Sequence, residues 1–172
     1  MTYPSLKSMR GTLKFLPESD ILKIFTEPLT LSPRHWKAYT NLAALDWEYV
    51  LFTASHKSKV PDEYGGVYTF VVQPGIANHP ICSYLFYVGK AERQSFRERY
   101  SQYLHYKRNL RTKWYHITRM LNYWDGHLWF CYARIDDVTL ITPVEQSLQD
   151  AYVPPFNKEF RGEVGPAVRA LR

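Results

Sequence analysis

Residues 66–89, GVYTFVVQPGIANHPICSYLFYVG, contain two valine- and aromatic-rich runs separated by a segment punctuated with proline and glycine. Valine and aromatic residues favour extended backbone, whereas proline and glycine mark turns and loops. The runs at 67–73 and 81–88 therefore predict a hairpin with a long loop. One tripeptide begins the first strand and another ends the second, and these are Gly66-Val67-Tyr68 and Tyr87-Val88-Gly89.

The chain after the hairpin is predicted to add two helices, a third strand and a further helix. A Ser-x-x-Glu capping box opens a helix over 95–104, and a basic helical stretch follows over 110–123. A strand is predicted over 128–135, and a second capping box opens a helix over 142–152. We therefore predict an α+β fold, with a small, mainly antiparallel three-stranded sheet flanked by helices.

The part of the chain before the hairpin predicts a helical extension. A short helix is expected over 20–26, and Ser32-Pro33 is typical of an N-cap followed by proline in the first helical turn. That second helix is predicted to run to about Phe52, because apolar residues recur along it at helical spacing. Residues 53–64 are then expected to form a linker.

These elements predict three regions of the chain. A helical extension covers 1–64, and we expect it to recognise DNA or to mediate homodimerisation. The core covers 65–160 and carries a basic helical insertion at 105–126. Residues 161–172 form a C-terminal tail.

The composition predicts a folded protein with a polyanionic partner. Hydrophobic residues make up 45% of the chain, and the formal net charge is +6 at pH 7. Positive charge favours binding to nucleic acid, because neutralised phosphates release their counterions. We expect the insertion to contact the DNA backbone through its basic residues, which are Lys107, Arg108, Arg111, Lys113 and Arg119.

The sequence carries no pattern typical of a membrane or secreted protein. No apolar run approaches the ~18 residues that a membrane-spanning helix needs, and no signal peptide is recognisable. Cys82 and Cys131 lie within apolar runs, and the chain has no C-x-x-C pair. We therefore expect a cytoplasmic protein with reduced cysteines and no membrane partner.

The two tripeptides and several later residues resemble the GIY-YIG nuclease family, whose name records the tripeptides. The resemblance covers about residues 65–160, with valine replacing isoleucine in each tripeptide. It implies the family's nuclease core, an endonuclease acting on double-stranded DNA, and a divalent metal cofactor, Mg²⁺ or Mn²⁺. The residues that match the family's functional positions are Tyr68, Tyr87, Arg99, Tyr103, Glu145 and Asn157.

The two tyrosines of the tripeptides have a catalytic and a packing interpretation. Tyr68 is expected to act as a general base on water, but a free phenol has a pKa near ~10, so a cation must lie nearby. Lys90, just after the second strand, is the candidate for that cation. Tyr87 is expected to hold the water or the phosphate through its hydroxyl. Both tyrosines would alternatively be core residues at a strand end.

One helix supplies the candidate phosphate ligand. Arg99 has a planar guanidinium that matches two phosphate oxygens at once, but Arg97 competes for this role. The helical spacing places Arg99 and Tyr103 on the same face, which favours Arg99. Tyr103 either orients a proton or simply packs in the core.

Glu145 and Asn157 also keep two interpretations each. As part of the second capping box, the Glu145 carboxylate would bond to the Thr142 amide. As a metal ligand, it would suit Mg²⁺, which takes oxygen ligands and retains several waters. Asn157 would either position the backbone or a ligand at the site, or cap a loop.

The predicted function is a metal-dependent DNA endonuclease with a one-metal mechanism. Because the chain has no long partner-binding extension of the kind expected in a repair subunit but has enough added sequence to read a short site, we expect a standalone nuclease of restriction or mobile-element type. The alternative is a nucleic-acid-binding or interaction module whose nuclease core is inactive.

Overall fold

The computed structural model describes residues 26–76, 82–109, 113–160 and 164–171. A four-stranded antiparallel sheet forms its centre. The strands are β1 (Glu48–Leu51), β2 (Gly66–Val72), β3 (Tyr84–Ala91) and β4 (Leu128–Arg134). Their order across the sheet is β1-β4-β2-β3, so β3 lies at an edge.

Helices cover both faces of the sheet. They are α1 (Pro33–Ala38), a 3-10 helix (Ala54–Lys59), α2 (Phe96–Arg108), α3 (Tyr115–Tyr123), α4 (Val138–Tyr152) and α5 (Val164–Leu171). An aromatic core that includes Phe70, Tyr100 and Met120 joins one face to α2 and α3. A smaller aliphatic core joins the other face to α4. Within the described ranges, no helix combines the length and the apolar character needed to cross a membrane.

The α+β class and the hairpin are confirmed, but the number of strands was wrong. Strands β2 and β3 pair antiparallel, with a register irregularity between Phe70 and Val71. The sheet has four strands rather than three, because Glu48–Leu51 forms β1 and pairs with β4. Residues 73–76 and 82–83 of the hairpin loop are described, and β3 begins at Tyr84.

The predicted helix through Phe52 was also wrong, because Glu48–Leu51 within it forms β1. Helix α1 ends at Ala38, and the chain then runs without regular structure to the strand that begins at Glu48. Tyr39, Ala43 and Leu45 pack on the aliphatic core from this irregular segment. Val50 packs on the aromatic core while Tyr49 points outward against Trp129, which is the alternation of a strand. The predicted linker contains the 3-10 helix followed by the fully buried Val60.

The two predicted capping boxes had different outcomes. The box at Ser95 is confirmed, with Ser95 and Glu98 exchanging hydrogen bonds at the start of α2. The box at Thr142 was wrong, because α4 already begins at Val138 and is capped by Asp137, whose carboxylate accepts from the Thr139 amide. Pro143 therefore lies inside the helix, and Glu145 lies well past its first turn.

Three predictions fall wholly or partly outside the described residues. The short helix over 20–26 and Arg111 cannot be placed, and only the second half of the stretch at 110–123 is seen as α3. The predicted tail includes α5, whose Val164 and Val168 are buried with Phe160.

Candidate active site

One cavity of about 460 Å³ lies beside the edge strand β3. Its walls come from β2, β3, α2, α3, α4 and the segment after α4. Seven side chains singled out in the sequence line this cavity together, and they are Tyr68, Tyr87, Lys90, Arg99, Tyr103, Glu145 and Asn157. The fold therefore brings into one place residues that are far apart along the chain.

The two glycines of the tripeptides make room for this arrangement. A Cβ on Gly89 would lie 2.6 Å from both the Cζ and the hydroxyl oxygen of Tyr68. A Cβ on Gly66 would lie 2.3 Å from the Ala133 carbonyl oxygen and 2.6 Å from Cζ of Phe96. Gly89 thus lets the Tyr68 ring cross over β3, and Gly66 lets α2 approach the sheet.

Three phenols meet at the inner wall of the cavity. Tyr68 is 2% exposed, and its hydroxyl lies 2.9 Å from the hydroxyl of Tyr103. The Tyr68 ring stacks on Phe130 and lies 6.3 Å from the Tyr87 ring, centroid to centroid. The Tyr68 hydroxyl is therefore held by packing below it and by a hydrogen bond at its tip.

The surroundings keep these phenols protonated. Burial is the largest effect and raises the pKa of Tyr68 well above its usual range, and the neighbouring Tyr87 adds to this. Arg99 lowers the pKa of Tyr68, but burial outweighs it. Burial likewise raises the pKa of Tyr87 and of Tyr103. A phenolate base at position 68 thus needs a further positive charge in the cavity.

The two candidate arginines have different surroundings. The Nε of Arg97 donates to the Val60 carbonyl oxygen at 2.8 Å, and its guanidinium pairs with Asp62 at 3.5 Å. Arg99 instead lines the cavity and donates to Gln102 Oε1 at 3.1 Å. Its Nε is buried and has no hydrogen-bond partner among the described residues. The geometry therefore favours Arg99 over Arg97 as an anion ligand.

Lys90 does not have the partner that the sequence suggested. Its ammonium donates to Thr142 Oγ1 at 2.5 Å and pairs with Glu92 at 3.0 Å. The cation that lowers the pKa of Tyr68 is Arg99. Lys90 thus ties the end of β3 to α4 at the rim of the cavity.

Asn157 fixes the backbone of the edge strand. Its Oδ1 accepts from the Val88 amide at 2.9 Å, and its Nδ2 donates to the Val88 carbonyl oxygen at 2.8 Å. The side chain is 5% exposed. The side chain thus pairs the amide and carbonyl groups of Val88 at the edge of the described sheet, where no further strand pairs with β3. It thereby positions Tyr87 and Gly89, which flank Val88.

Glu145 brings negative charge close to the phenols. Its carboxylate contributes to the raised pKa values of both Tyr68 and Tyr87. Within the described ranges, no group of three or more His, Cys, Asp or Glu side chains could hold a metal ion. A carboxylate in a polar cavity, which Glu159 also lines, still fits Mg²⁺, because this ion keeps most of its waters and takes other ligands from phosphate.

The predicted DNA-contacting residues have mixed surroundings. Lys107 pairs with Asp125 at 2.5 Å, and Arg119 pairs with Glu27 at 2.5 Å while lying over the Phe156 ring. Arg108 and Lys113 are exposed. Lys107 and Arg119 thus already form ion pairs with acidic side chains of the protein. Contact of the predicted basic residues with DNA stays a prediction.

Several cavity residues were missed by the sequence reasoning. Gln102 and Thr142 stand one helical turn from Arg99 and Glu145, so helical spacing from those residues could have found them. Trp114 and His116 lie in the basic stretch that was expected beside the site, but neither was singled out as a site residue, and Lys158 carries no comparable signal.

The chain has no match among protein-family models, curated proteins or solved structures. Interpretation of the cavity therefore depends on its own geometry and chemistry.

Proposed function

We propose that the chain is a metal-dependent DNA endonuclease of the GIY-YIG type, acting as a standalone restriction or mobile-element nuclease. One observation carries this proposal. The residues expected from the two tripeptides, α2, α4 and the following segment all line the same cavity. Core packing brings the three tyrosines together, but Lys90, Arg99 and Glu145 belong to no hydrophobic cluster and still face the same space. A site that hydrolyses a phosphodiester needs this combination of a phosphate ligand, hydroxyls and a metal-binding carboxylate.

Arg99 is the phosphate ligand in this proposal. Its guanidinium lines the cavity, and its Nε is a buried donor without a partner among the described residues. Donors left unpaired in a buried position are costly unless a ligand completes them. A phosphate oxygen would do so through a charge-assisted hydrogen bond.

The phenols position the reacting groups. Because burial keeps Tyr68 and Tyr103 protonated, each can donate a hydrogen bond, and their mutual contact at 2.9 Å fixes both hydroxyls. Only as a phenolate, after losing its own proton to solvent, would Tyr68 accept the proton of the attacking water, and Tyr87 is the candidate to hold the phosphate through its hydroxyl. Asn157 acts indirectly, by holding the β3 backbone between Tyr87 and Gly89.

Glu145 is the residue that would hold the metal ion. When bound, Mg²⁺ or Mn²⁺ would supply positive charge that stabilises the phosphoryl oxygens and lowers the pKa of nearby water and phenol. The residues fit such an ion, because a carboxylate lies in the cavity within electrostatic reach of Tyr68 and Tyr87.

A second function is favoured by one specific observation. Burial raises the pKa values of all three phenols, so none of the three is a ready base by itself. An inactive core that binds nucleic acid without cutting it would have this property too. Both functions include the binding of DNA, but only the nuclease cleaves the phosphodiester bond.

Cleavage of supercoiled plasmid in Mg²⁺ or Mn²⁺ tests the proposal. Glu145→Gln keeps the side-chain shape and removes the charge, so we expect cleavage to fall roughly 100-fold or more, as when one electrostatic stabiliser is removed. Tyr68→Phe should lower cleavage while keeping DNA binding. The control is Glu63→Gln, which loses only an exposed pair with Arg134.

The same assay separates the alternatives. Binding without nicking by the unmodified protein would favour the inactive module. Undiminished cleavage by Glu145→Gln would contradict the metal assignment. Discrete fragments would indicate a sequence-reading enzyme, and a smear a nonspecific one.

A further inference from the structure

One wall of the cavity is aromatic and has no role in the proposed chemistry. It is formed at the start of α3 by Trp114 and His116, whose ring centroids lie 6.0 Å apart. Trp114 is 42% exposed and lines the polar cavity. Such a ring offers a flat surface on which a nucleobase can stack.

The cavity is also larger than its proposed chemistry requires. A volume of about 460 Å³ lies in the range of pockets that enclose a whole small molecule, whereas a phosphate and its metal ion occupy only part of it. Trp114 and His116 line the same cavity as Arg99. A nucleotide base attached to the phosphate at Arg99 would fill its remaining space.

The charges around the aromatic wall suit a nucleotide. The Lys113 ammonium lies 5.6 Å from the centre of the Trp114 ring, and Lys158 lines the cavity. Burial first, then Lys158 and Arg119, lower the pKa of His116 to about 4, so its ring is neutral at pH 7. Its Nδ1 is buried without a hydrogen-bond partner among the described residues. A neutral imidazole can donate to or accept from the edge of a base.

We propose that Trp114 stacks on a base that is turned out of the DNA duplex beside the phosphate bound by Arg99. This inference rests on the proposed function, and it narrows the substrate to DNA with an unpaired or easily unpaired nucleotide at that point. Turning a base out of a duplex has an energetic cost that is smallest where the base is already unpaired. Preference for such DNA is therefore the expected signature.

The test uses two DNA duplexes that differ in one nucleotide. One carries a single bulged 2-aminopurine, the other is the same duplex with every base paired, and Ca²⁺ replaces Mg²⁺ to prevent cutting. We expect tighter binding of the bulged duplex and a fall in 2-aminopurine fluorescence as the base stacks. Trp114→Ala should weaken that binding roughly five- to 100-fold, the range found when one stacking aromatic is removed.

The matched control is Trp36→Ala. Trp36 is 44% exposed, almost the same as Trp114, but it lines a different groove, beside α1. This variant should keep both the preference for the bulged duplex and the fluorescence change. Thermal unfolding of both variants would show that each is folded.

The outcomes distinguish this inference from the proposed function. Equal binding of both duplexes with unchanged fluorescence, or a preference that survives in Trp114→Ala, would overturn the stacking proposal even if the plasmid is cut. A preference that depends on Trp114, with no cutting of any plasmid, would support stacking and overturn the nuclease. Failure to bind either duplex would overturn both.

Discussion

Gly89 shows how a single residue shapes the site. The Tyr68 ring crosses directly over it, and an added Cβ would lie 2.6 Å from two of the phenol's atoms. Alanine is favoured over glycine in a strand by about 0.5–1 kcal/mol, but overpacking of a buried site costs about 1–3 kcal/mol. We therefore expect Gly89→Ala to destabilise the protein by about 1–2 kcal/mol and to lower activity, as measured by urea unfolding and plasmid cleavage.

A double variant identifies the cause of that loss. In Gly89→Ala combined with Tyr68→Phe, the contact with the hydroxyl disappears while the contact with Cζ remains. Part of the lost stability should return, relative to the sum of the two single variants. Strict additivity of the two changes would contradict the clash between these side chains.

At the scale of single residues, the sequence indicated which side chains belong to the cavity but not what surrounds each of them in the fold. The tripeptides and helical spacing pointed to Tyr68, Tyr87 and Arg99, all of which line the cavity. The partner of Lys90 was not predictable, because Thr142 lies on α4, whose start was misplaced. The raised pKa of Tyr68 depends on burial that only the packed core creates.

At the scale of elements, Asn157 acts as a substitute strand for the open edge of β3. Each of its two hydrogen bonds to Val88 is buried, and losing a buried partner costs about 1–3 kcal/mol. We expect Asn157→Ala to destabilise the protein by about 2–4 kcal/mol and to speed hydrogen exchange of the Val88 amide. Asn41→Ala, at an exposed position between α1 and β1, should change stability by less than about 0.5 kcal/mol. Unchanged exchange at Val88 would be the contradicting result.

The elements that were predicted correctly are those whose sequence pattern extends over many consecutive residues. Strands β2 and β3 have uninterrupted valine and aromatic runs, and α2 has a capping box that is present in the structure. Strand β1 has only four residues, so its alternation is too short to outweigh the helical spacing around it. The start of α4 was missed because Pro143 suggested a first turn, whereas Asp137 caps the helix earlier.

At the scale of the whole molecule, one histidine of the cavity makes the stability of the fold depend on pH. Burial, Lys158 and Arg119 lower the pKa of His116 from 6.5 to about 4 in the folded protein. Between these two values the unfolded chain binds a proton that the folded protein does not, so the free energy of unfolding falls as the pH falls from about 6.5 to about 4. Partial solvent screening limits the loss to the order of 1–3 kcal/mol.

Replacement of His116 should remove this part of the pH dependence. We expect His116→Gln to lose less stability than the unmodified protein between pH 7 and pH 4.5, as measured by urea unfolding at both pH values. His105→Gln is the control, because His105 is an exposed histidine on α2 that lies outside the cavity. If His116→Gln lost as much stability as the unmodified protein, the acid sensitivity would have to arise from other residues. That result would contradict a neutral His116 imidazole in the cavity.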